Sequence, residues 1–146
     1  MLDEIKNVLV TGGAGYCASV LVPELLKRGY NVTVYDTLLF GDEHLPKSNS
    51  MLEIIKGDIR DINKLSKSFY GVDAVISLAC ISNDASFELD EKLSTSINMN
   101  AFEPMVIEAK KNNVKRFIYA SSSSVYGVSN SPNVREDHPL VPLTLY

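Results

Sequence analysis

A glycine-rich turn near the start of the chain constrains the fold more than any other feature. The segment VTGGAGYCAS, residues 10–19, follows the apolar run VLV and precedes a helical pattern. Its small residues are spaced Gly12-x-x-Gly15-x-x-Ala18. Gly12 permits a tight turn, Gly15 lets the backbone approach a pyrophosphate, and Ala18 leaves room for helix–strand packing. The N–H groups of the following helix would then face the phosphates.

An acidic residue ends the next apolar run, VTVYD. In dinucleotide-binding folds a carboxylate at this place, here Asp36, accepts hydrogen bonds from the hydroxyls of the adenosine ribose. A 2′-phosphate would meet like charge, and no arginine follows within Thr37, Leu38 and Leu39. The sequence therefore predicts NAD rather than NADP. Two simpler interpretations remain open, a glycine turn without a ligand and a solvated aspartate in a turn.

Short β-rich runs alternate with longer helical patterns along the whole chain. This alternation is typical of βαβ units and a parallel sheet. Right-handed crossovers restrict the topology to a Rossmann-like, doubly wound α/β sheet of strand order 3-2-1-4-5. The predicted strands are 6–11, 31–35, 52–56, 73–78 and 116–120, and the predicted helices are 15–28, 61–69 and 91–112.

Composition excludes several classes of function. The 146 residues correspond to one domain, and a net charge of −4 without a basic cluster argues against nucleic-acid binding. No apolar run approaches the ~20 residues of a membrane span, and the N-terminus MLDEIKNVLV does not resemble a signal peptide. Cys17 and Cys80 lack metal-site spacing, so we expect no metal and reduced thiols in a cytoplasmic protein.

Six segments in the same order resemble one family. They are TGGAGYCA at 11–18, YDTLLFG at 35–41, GDIRD at 57–61, SLAC at 77–80, INMNAF at 97–102 and YASSSSVYG at 119–127. Together they resemble the extended short-chain dehydrogenase/reductases, in particular the NAD-dependent nucleotide-sugar epimerases and dehydratases. The resemblance covers essentially the whole chain.

The resemblance implies a set of cofactor-binding residues. Asp58 and Ile59 would flank the adenine, and Asn98 would lie behind the active site. The loop 82–84 would face the nicotinamide or the substrate, or would simply cap the next helix. The full set implied to bind NAD is Gly12, Gly15, Tyr16, Cys17, Asp36, Asp58, Ile59, Leu78, Ala79, Cys80 and Asn98.

The resemblance also implies two catalytic residues. Ser122 matches the serine or threonine that hydrogen-bonds the reacting oxygen, and the alternative is a polar strand end that caps itself. Tyr146 matches the tyrosine that acts as the base, and its partner lysine would fall four residues further on. The dehydratases carry acidic residues after the serine, whereas Ser123 and Ser124 follow here. This difference favours an epimerase over a 4,6-dehydratase.

These observations predict an NAD-dependent nucleotide-sugar epimerase or a related oxidoreductase. It would transfer hydride between a sugar hydroxyl carbon and NAD, with a nucleotide-diphosphate sugar as substrate and a homodimer as the full-length form. Residues 1–146 would be the N-terminal portion of the NAD-binding Rossmann domain, without the substrate-binding domain. We expect this portion alone to be inactive. The alternative is a non-catalytic NAD-binding module or a truncated inactive fragment.

Overall fold

Five short strands pair in parallel in the order β3-β2-β1-β4-β5, as the sequence predicted. The computed structural model describes residues 5–146. Because every pairing is parallel, the carboxyl ends of all five strands lie along one edge of the sheet. The strands are β1 (Asn7–Thr11), β2 (Asn31–Asp36), β3 (Leu52–Lys56), β4 (Ala74–Ser77) and β5 (Arg116–Tyr119).

The central strand is buried on both faces, which explains its continuous apolar sequence. Successive side chains of a strand point to opposite faces. Val8 and Val10 therefore pack into one core cluster with Val22 of the first helix. Leu9 packs into the other cluster, which contains Phe69 and Met105. The sheet thus has a layer of helical structure on each face.

The helices follow the predicted pattern, with differences in their bounds and in their number. The first helix begins at Ala18 and not at residue 15, and it is preceded by a turn over 12–15 in which the Gly15 N–H donates to the Gly12 carbonyl at 3.0 Å. An additional helix, which the sequence analysis did not predict, follows β4. The helices are α1 (Ala18–Lys27), α2 (Ile62–Leu65), α3 (Asp84–Leu89), α4 (Glu91–Thr95) and α5 (Phe102–Lys111).

The segment predicted as one helix over 91–112 is interrupted. A π-helical turn, Ser96–Asn100, separates α4 from α5. Pro104 has no N–H and therefore cannot donate to the carbonyl of Asn100, which lies four residues before it. A proline at this position is expected to bend a helix or to open one of its hydrogen bonds. The structure shows a π turn immediately upstream, a feature that is frequent at functional sites.

Asp73 ties three strands together at the opposite, amino-terminal edge of the sheet. Its Oδ2 accepts hydrogen bonds from the backbone N–H groups of Asn7 and Lys6, each at 2.9 Å. Its Oδ1 lies 3.0 Å from Nζ of Lys115. The bond from Asn7, then those from Lys6 and Lys115, lower the pKa of the Asp73 carboxyl to about 2.

We expect Asp73→Asn to destabilise the fold near neutral pH by about 2 kcal/mol. The folded pKa is depressed, so this stabilisation is fully present above the unfolded pKa of about 3.9 and is lost as the pH falls toward 2. Urea unfolding from pH 7 to pH 2 measures the difference between the two proteins. Asp137→Asn is the control, because that side chain is 87% exposed. A difference that stays constant with pH would contradict the assignment.

Candidate functional site

Gly12 brings the turn after β1 against the backbone that follows β4. Its φ is +70°, and its N–H donates to the Tyr35 carbonyl at 2.9 Å. A Cβ atom at this position would lie 2.5 Å from the backbone nitrogen of Ala79 and 2.8 Å from the carbonyl carbon of Leu78. Both the dihedral angle and the available space therefore require glycine. Three strands, β1, β2 and β4, meet at this point.

A second glycine in the turn was not identified from the sequence. A Cβ atom at Gly13 would lie 2.8 Å from both methyl groups of Val34 and 2.9 Å from the carbonyl oxygen of Val10. The turn therefore lies directly on a side chain of β2. The sequence indicates this contact only through the position of Gly13 close to the end of the apolar run, because Val34 lies on another strand. Gly15 has more room, with a Cβ position 3.1 Å from the Gly12 carbonyl oxygen.

The carboxylate of Asp36 is fixed at the end of β2. Its Oδ2 accepts a hydrogen bond from the Ala14 N–H at 3.0 Å, and its Oδ1 accepts one from the Leu38 N–H at 2.8 Å. A carboxylate has about four acceptor sites, so both oxygens can accept further hydrogen bonds. Asp36 thus connects the glycine-rich turn to the end of β2, and its oxygens can still accept hydrogen bonds from the hydroxyl groups of a ligand.

These elements line an open cleft of about 150 Å³ at the carboxyl edge of the sheet. It brings together seven residues that were predicted from the sequence: Gly12, Gly15, Asp36, Ile59, Leu78, Ala79 and Cys80. Four further lining residues were not predicted: Tyr35, Thr37, Phe40 and Gly57. The volume is below the ~300 Å³ of a typical enclosed ligand site, because the cleft is open to solvent. It suits part of an extended ligand.

The other predicted cofactor residues lie beside this cleft rather than in its lining. Tyr16 is almost fully exposed, and Cys17 is exposed just before α1. The Asp58 carboxylate pairs with the Arg60 guanidinium, with 2.6 Å between Oδ2 and Nη2. This hydrogen bond lowers the pKa of Asp58. The roles proposed for these three residues therefore remain predictions.

Asn98 holds the loop that follows β4. Its Oδ1 accepts from the Ile81 N–H at 2.8 Å, and its Nδ2 donates to the Ile81 carbonyl at 2.9 Å. The π turn thus places this side chain where it fixes the backbone next to Cys80.

Surrounding protein atoms raise the pKa of the Cys80 thiol, and the nearby Cys17 adds to this effect. In the next loop, Asn83 caps α3 by accepting from the Ser86 N–H at 3.0 Å.

The two predicted catalytic residues lie on separate segments. The Ser122 hydroxyl accepts a hydrogen bond from the Ser124 N–H at 3.1 Å. The Tyr146 ring packs edge-to-face on Phe87 with 6.3 Å between the ring centroids. Between residues 5 and 146 no hydrogen bond joins Ser122 to Tyr146. Tyr146 lines a second cleft, of about 430 Å³, with Asp84, Phe87, Glu88, Glu91 and residues 142–145.

The segment before Tyr146 is attached to α3. The Thr144 hydroxyl donates to the Asp84 carboxylate. Together with the Phe87 contact, this bond fixes the direction in which the chain reaches Tyr146.

In the described part of the chain, no helix is long and apolar enough to span a membrane, and no cluster of three metal-ligating side chains occurs.

Comparison with known proteins identifies a family. A family model described as the NAD dependent epimerase/dehydratase family matches residues 8–146. The chain is 32% identical to a UDP-glucose 4-epimerase of Lactobacillus helveticus over 142 residues, which are 96% of this chain and 42% of the relative. It is 31% identical to a 3 beta-hydroxysteroid dehydrogenase/Delta 5-->4-isomerase of Mycobacterium tuberculosis, over 99% of this chain and 38% of that protein.

A solved structure shows the same arrangement of elements. UDP-glucose-4-epimerase from Stenotrophomonas maltophila, with bound NAD and formylated UDP-arabinopyranose, superposes with a TM-score of 0.87 at 25% identity. The match covers 95% of this chain and 44% of that chain. The chain therefore spans less than half the length of these proteins.

Proposed function

Because the chain belongs to the NAD-dependent epimerase/dehydratase family, we propose that the cleft beside Gly12 binds NAD. The observation that carries the proposal is the contact of Gly12 with the Ala79 backbone. Glycine there lets the turn lie against the backbone after β4, so that Gly12, Gly15 and Asp36 line one cleft at the carboxyl edge of the sheet, the place that a pyrophosphate takes in dinucleotide-binding folds. The NAD bound to the Stenotrophomonas maltophila epimerase supports the same assignment.

The residues around the cleft fit the chemical groups of NAD. Backbone N–H groups at the start of α1 suit the pyrophosphate, because the N-terminal end of a helix carries partial positive charge. The Asp36 carboxylate suits the two ribose hydroxyls, and its negative charge disfavours a 2′-phosphate. Ile59 gives an apolar surface between β3 and α2. The pyrophosphate and the adenosine half of this ligand thus have partners in the described chain.

In a protein that also carries a substrate-binding part, Ser122 and Tyr146 would act on a nucleotide-diphosphate sugar. Bound NAD supplies a hydride acceptor for the oxidation of a sugar hydroxyl. The Ser122 hydroxyl would hydrogen-bond the sugar oxygen, and the Tyr146 phenol would take and return its proton. Ser123 and Ser124 occupy the positions of the acidic residues of dehydratases, which supports epimerisation. We propose a cytoplasmic enzyme that works as a homodimer.

A second candidate function is a non-catalytic NAD-binding module. The observation that favours it is the separation of the two catalytic candidates, since Ser122 is engaged by Ser124 and Tyr146 packs on Phe87. Both candidate functions use the same NAD cleft. They differ in turnover of a nucleotide-diphosphate sugar by the unchanged longer protein, which only the first candidate predicts.

Calorimetric titration of the chain with NAD⁺ and NADP⁺ tests the proposed cleft. We expect saturable binding of NAD⁺ at one site and weaker binding of NADP⁺. The absence of heat at millimolar NAD⁺ with folded protein would overturn both candidate functions.

Asp36→Asn is expected to weaken NAD⁺ binding by about 1.5–3 kcal/mol, because a charged acceptor of hydrogen bonds is lost. The same change removes the repulsion of a 2′-phosphate, so the preference for NAD⁺ over NADP⁺ should narrow. Calorimetry with both dinucleotides measures both effects. Asp42→Asn, which changes the same charge on the following segment, serves as the control. An unchanged ratio of the two affinities would show that Asp36 does not select the cofactor.

A further inference from the structure

Phe40 is an exposed aromatic residue at the edge of the cleft. It is 88% exposed, yet it lines the cleft together with Asp36, Thr37 and Ile59. Its neighbour Leu39 is 78% exposed and lies outside the lining. An aromatic ring in water forgoes the stabilisation of burial, and a large apolar surface beside a concave site commonly meets a ligand. Leu39 and Phe40 are thus both exposed, but only Phe40 lines the cleft.

The turn that carries Phe40 is held in place by the same carboxylate that faces the cleft. The Leu38 N–H donates to Asp36 Oδ1 at 2.8 Å, and Leu38 packs against the core with a positive φ of 57°. The Gly41 N–H then donates to the Leu38 carbonyl at 3.2 Å. Leu39 and Phe40 are thus the two central residues of a short, anchored turn. Asp36 thus anchors the start of the backbone turn that carries Phe40.

We propose that Phe40 is a stacking platform for the purine base of the dinucleotide. This inference rests on the proposed function. If Asp36 holds the ribose, the attached base must lie within a few ångströms of that carboxylate. Phe40, after β2, and Ile59, after β3, line the cleft together with Asp36. A flat, largely apolar base matches an aromatic face and an aliphatic side chain. Phe40 then determines affinity for the adenosine half of the ligand, whereas Asp36 determines the choice at the ribose.

Binding of ADP-ribose and of nicotinamide mononucleotide separates the two halves of the cofactor. Stacking of a base on an aromatic side chain predicts that Phe40→Ala weakens ADP-ribose binding by about 5- to 100-fold. Phe40→Leu keeps apolar surface but lacks a flat ring, and we expect an intermediate loss. Leu39→Ala is the matched control and should change the affinity by less than twofold. Phe40 is so exposed that its replacement leaves the core intact.

The chain contains no tryptophan, so a single introduced indole reports on its own surroundings. We expect the fluorescence of Phe40→Trp to be quenched saturably by ADP-ribose, which lacks the nicotinamide ring, and to be unaffected by nicotinamide mononucleotide. Leu39→Trp should respond to neither compound. A purely structural role of Phe40 would not produce this difference.

The outcomes distinguish the two claims. If the unchanged protein binds ADP-ribose and Phe40→Ala binds it equally well, the stacking role is overturned while the NAD cleft stands. An equal loss of affinity in Phe40→Ala and Leu39→Ala also overturns it, because the turn as a whole would then be responsible. If the unchanged protein binds neither ADP-ribose nor NAD⁺, the proposed function is overturned, and this inference with it.

Discussion

Gly12→Ala is expected to abolish measurable NAD⁺ binding at millimolar concentration. The new Cβ would lie 2.5 Å from the Ala79 nitrogen, so the turn after β1 and the backbone after β4 must separate. That movement displaces the turn, Leu78 and Ala79, which together line the cleft. The left-handed φ adds a further penalty, and we expect a total loss of stability of about 2–5 kcal/mol.

Gly71→Ala provides a closely matched control for this change. Gly71 has a φ of +71°, nearly the same as that of Gly12, but a Cβ atom there meets nothing within 4 Å. Its replacement therefore reports the cost of the dihedral angle alone, about 1–2 kcal/mol. Urea unfolding and NAD⁺ calorimetry on both variants separate steric contact from backbone strain. If both variants lose the same stability and Gly12→Ala still binds NAD⁺, the close contact does not shape the site.

The second large effect is expected at Tyr146, in a protein that carries the residues following it. Tyr146→Phe removes the hydroxyl that would take the substrate proton, and general acid–base catalysis predicts a loss of turnover of about 10²- to 10⁴-fold. NAD⁺ affinity should stay within twofold, because Tyr146 does not line the NAD cleft. Steady-state kinetics with a nucleotide-diphosphate sugar that the unchanged longer protein turns over, together with NAD⁺ calorimetry, measures both quantities.

Ser122→Ala should show the same separation of turnover from cofactor affinity, with a smaller loss. Tyr70→Phe is the control for Tyr146, because Tyr70 is 91% exposed and lies at the opposite edge of the sheet. Full turnover in both Tyr146→Phe and Ser122→Ala would show that neither side chain is catalytic, whereas NAD⁺ binding without turnover in the unchanged longer protein would favour the non-catalytic NAD-binding module.

The glycine-rich turn was predictable from the sequence because it depends on a local pattern, and the strand order was predictable because strands alternate with helices and the crossovers are right-handed. A continuous apolar run, a glycine turn and an amphipathic helix follow one another within residues 7–27. Asp36 was also predictable, since it directly ends the second strand. The parallel pairing of short strands then places their carboxyl ends at one edge.

Other parts of the site depend on contacts that are distant in the sequence. The clamp of Asn98 on Ile81 spans 17 residues and requires a π turn, which apolar periodicity does not reveal. The need for glycine at position 13 arises from Val34 on another strand. Phe40 is visible in the sequence only as one apolar residue among several. Its contact with the cleft follows from the anchored conformation of Leu38.

The central claim is that NAD binds at the carboxyl edge of the sheet, between the glycine-rich turn and the loop after β4. Residue-resolved NMR of the isotope-labelled chain during titration with NAD⁺ tests this claim most directly. We expect saturable shifts of the amide signals of Gly12, Gly15 and Ala79, and no shift of Gly71 at the opposite edge. Shifts that cluster around Gly71, or an unchanged spectrum of the folded protein at millimolar NAD⁺, would contradict the claim.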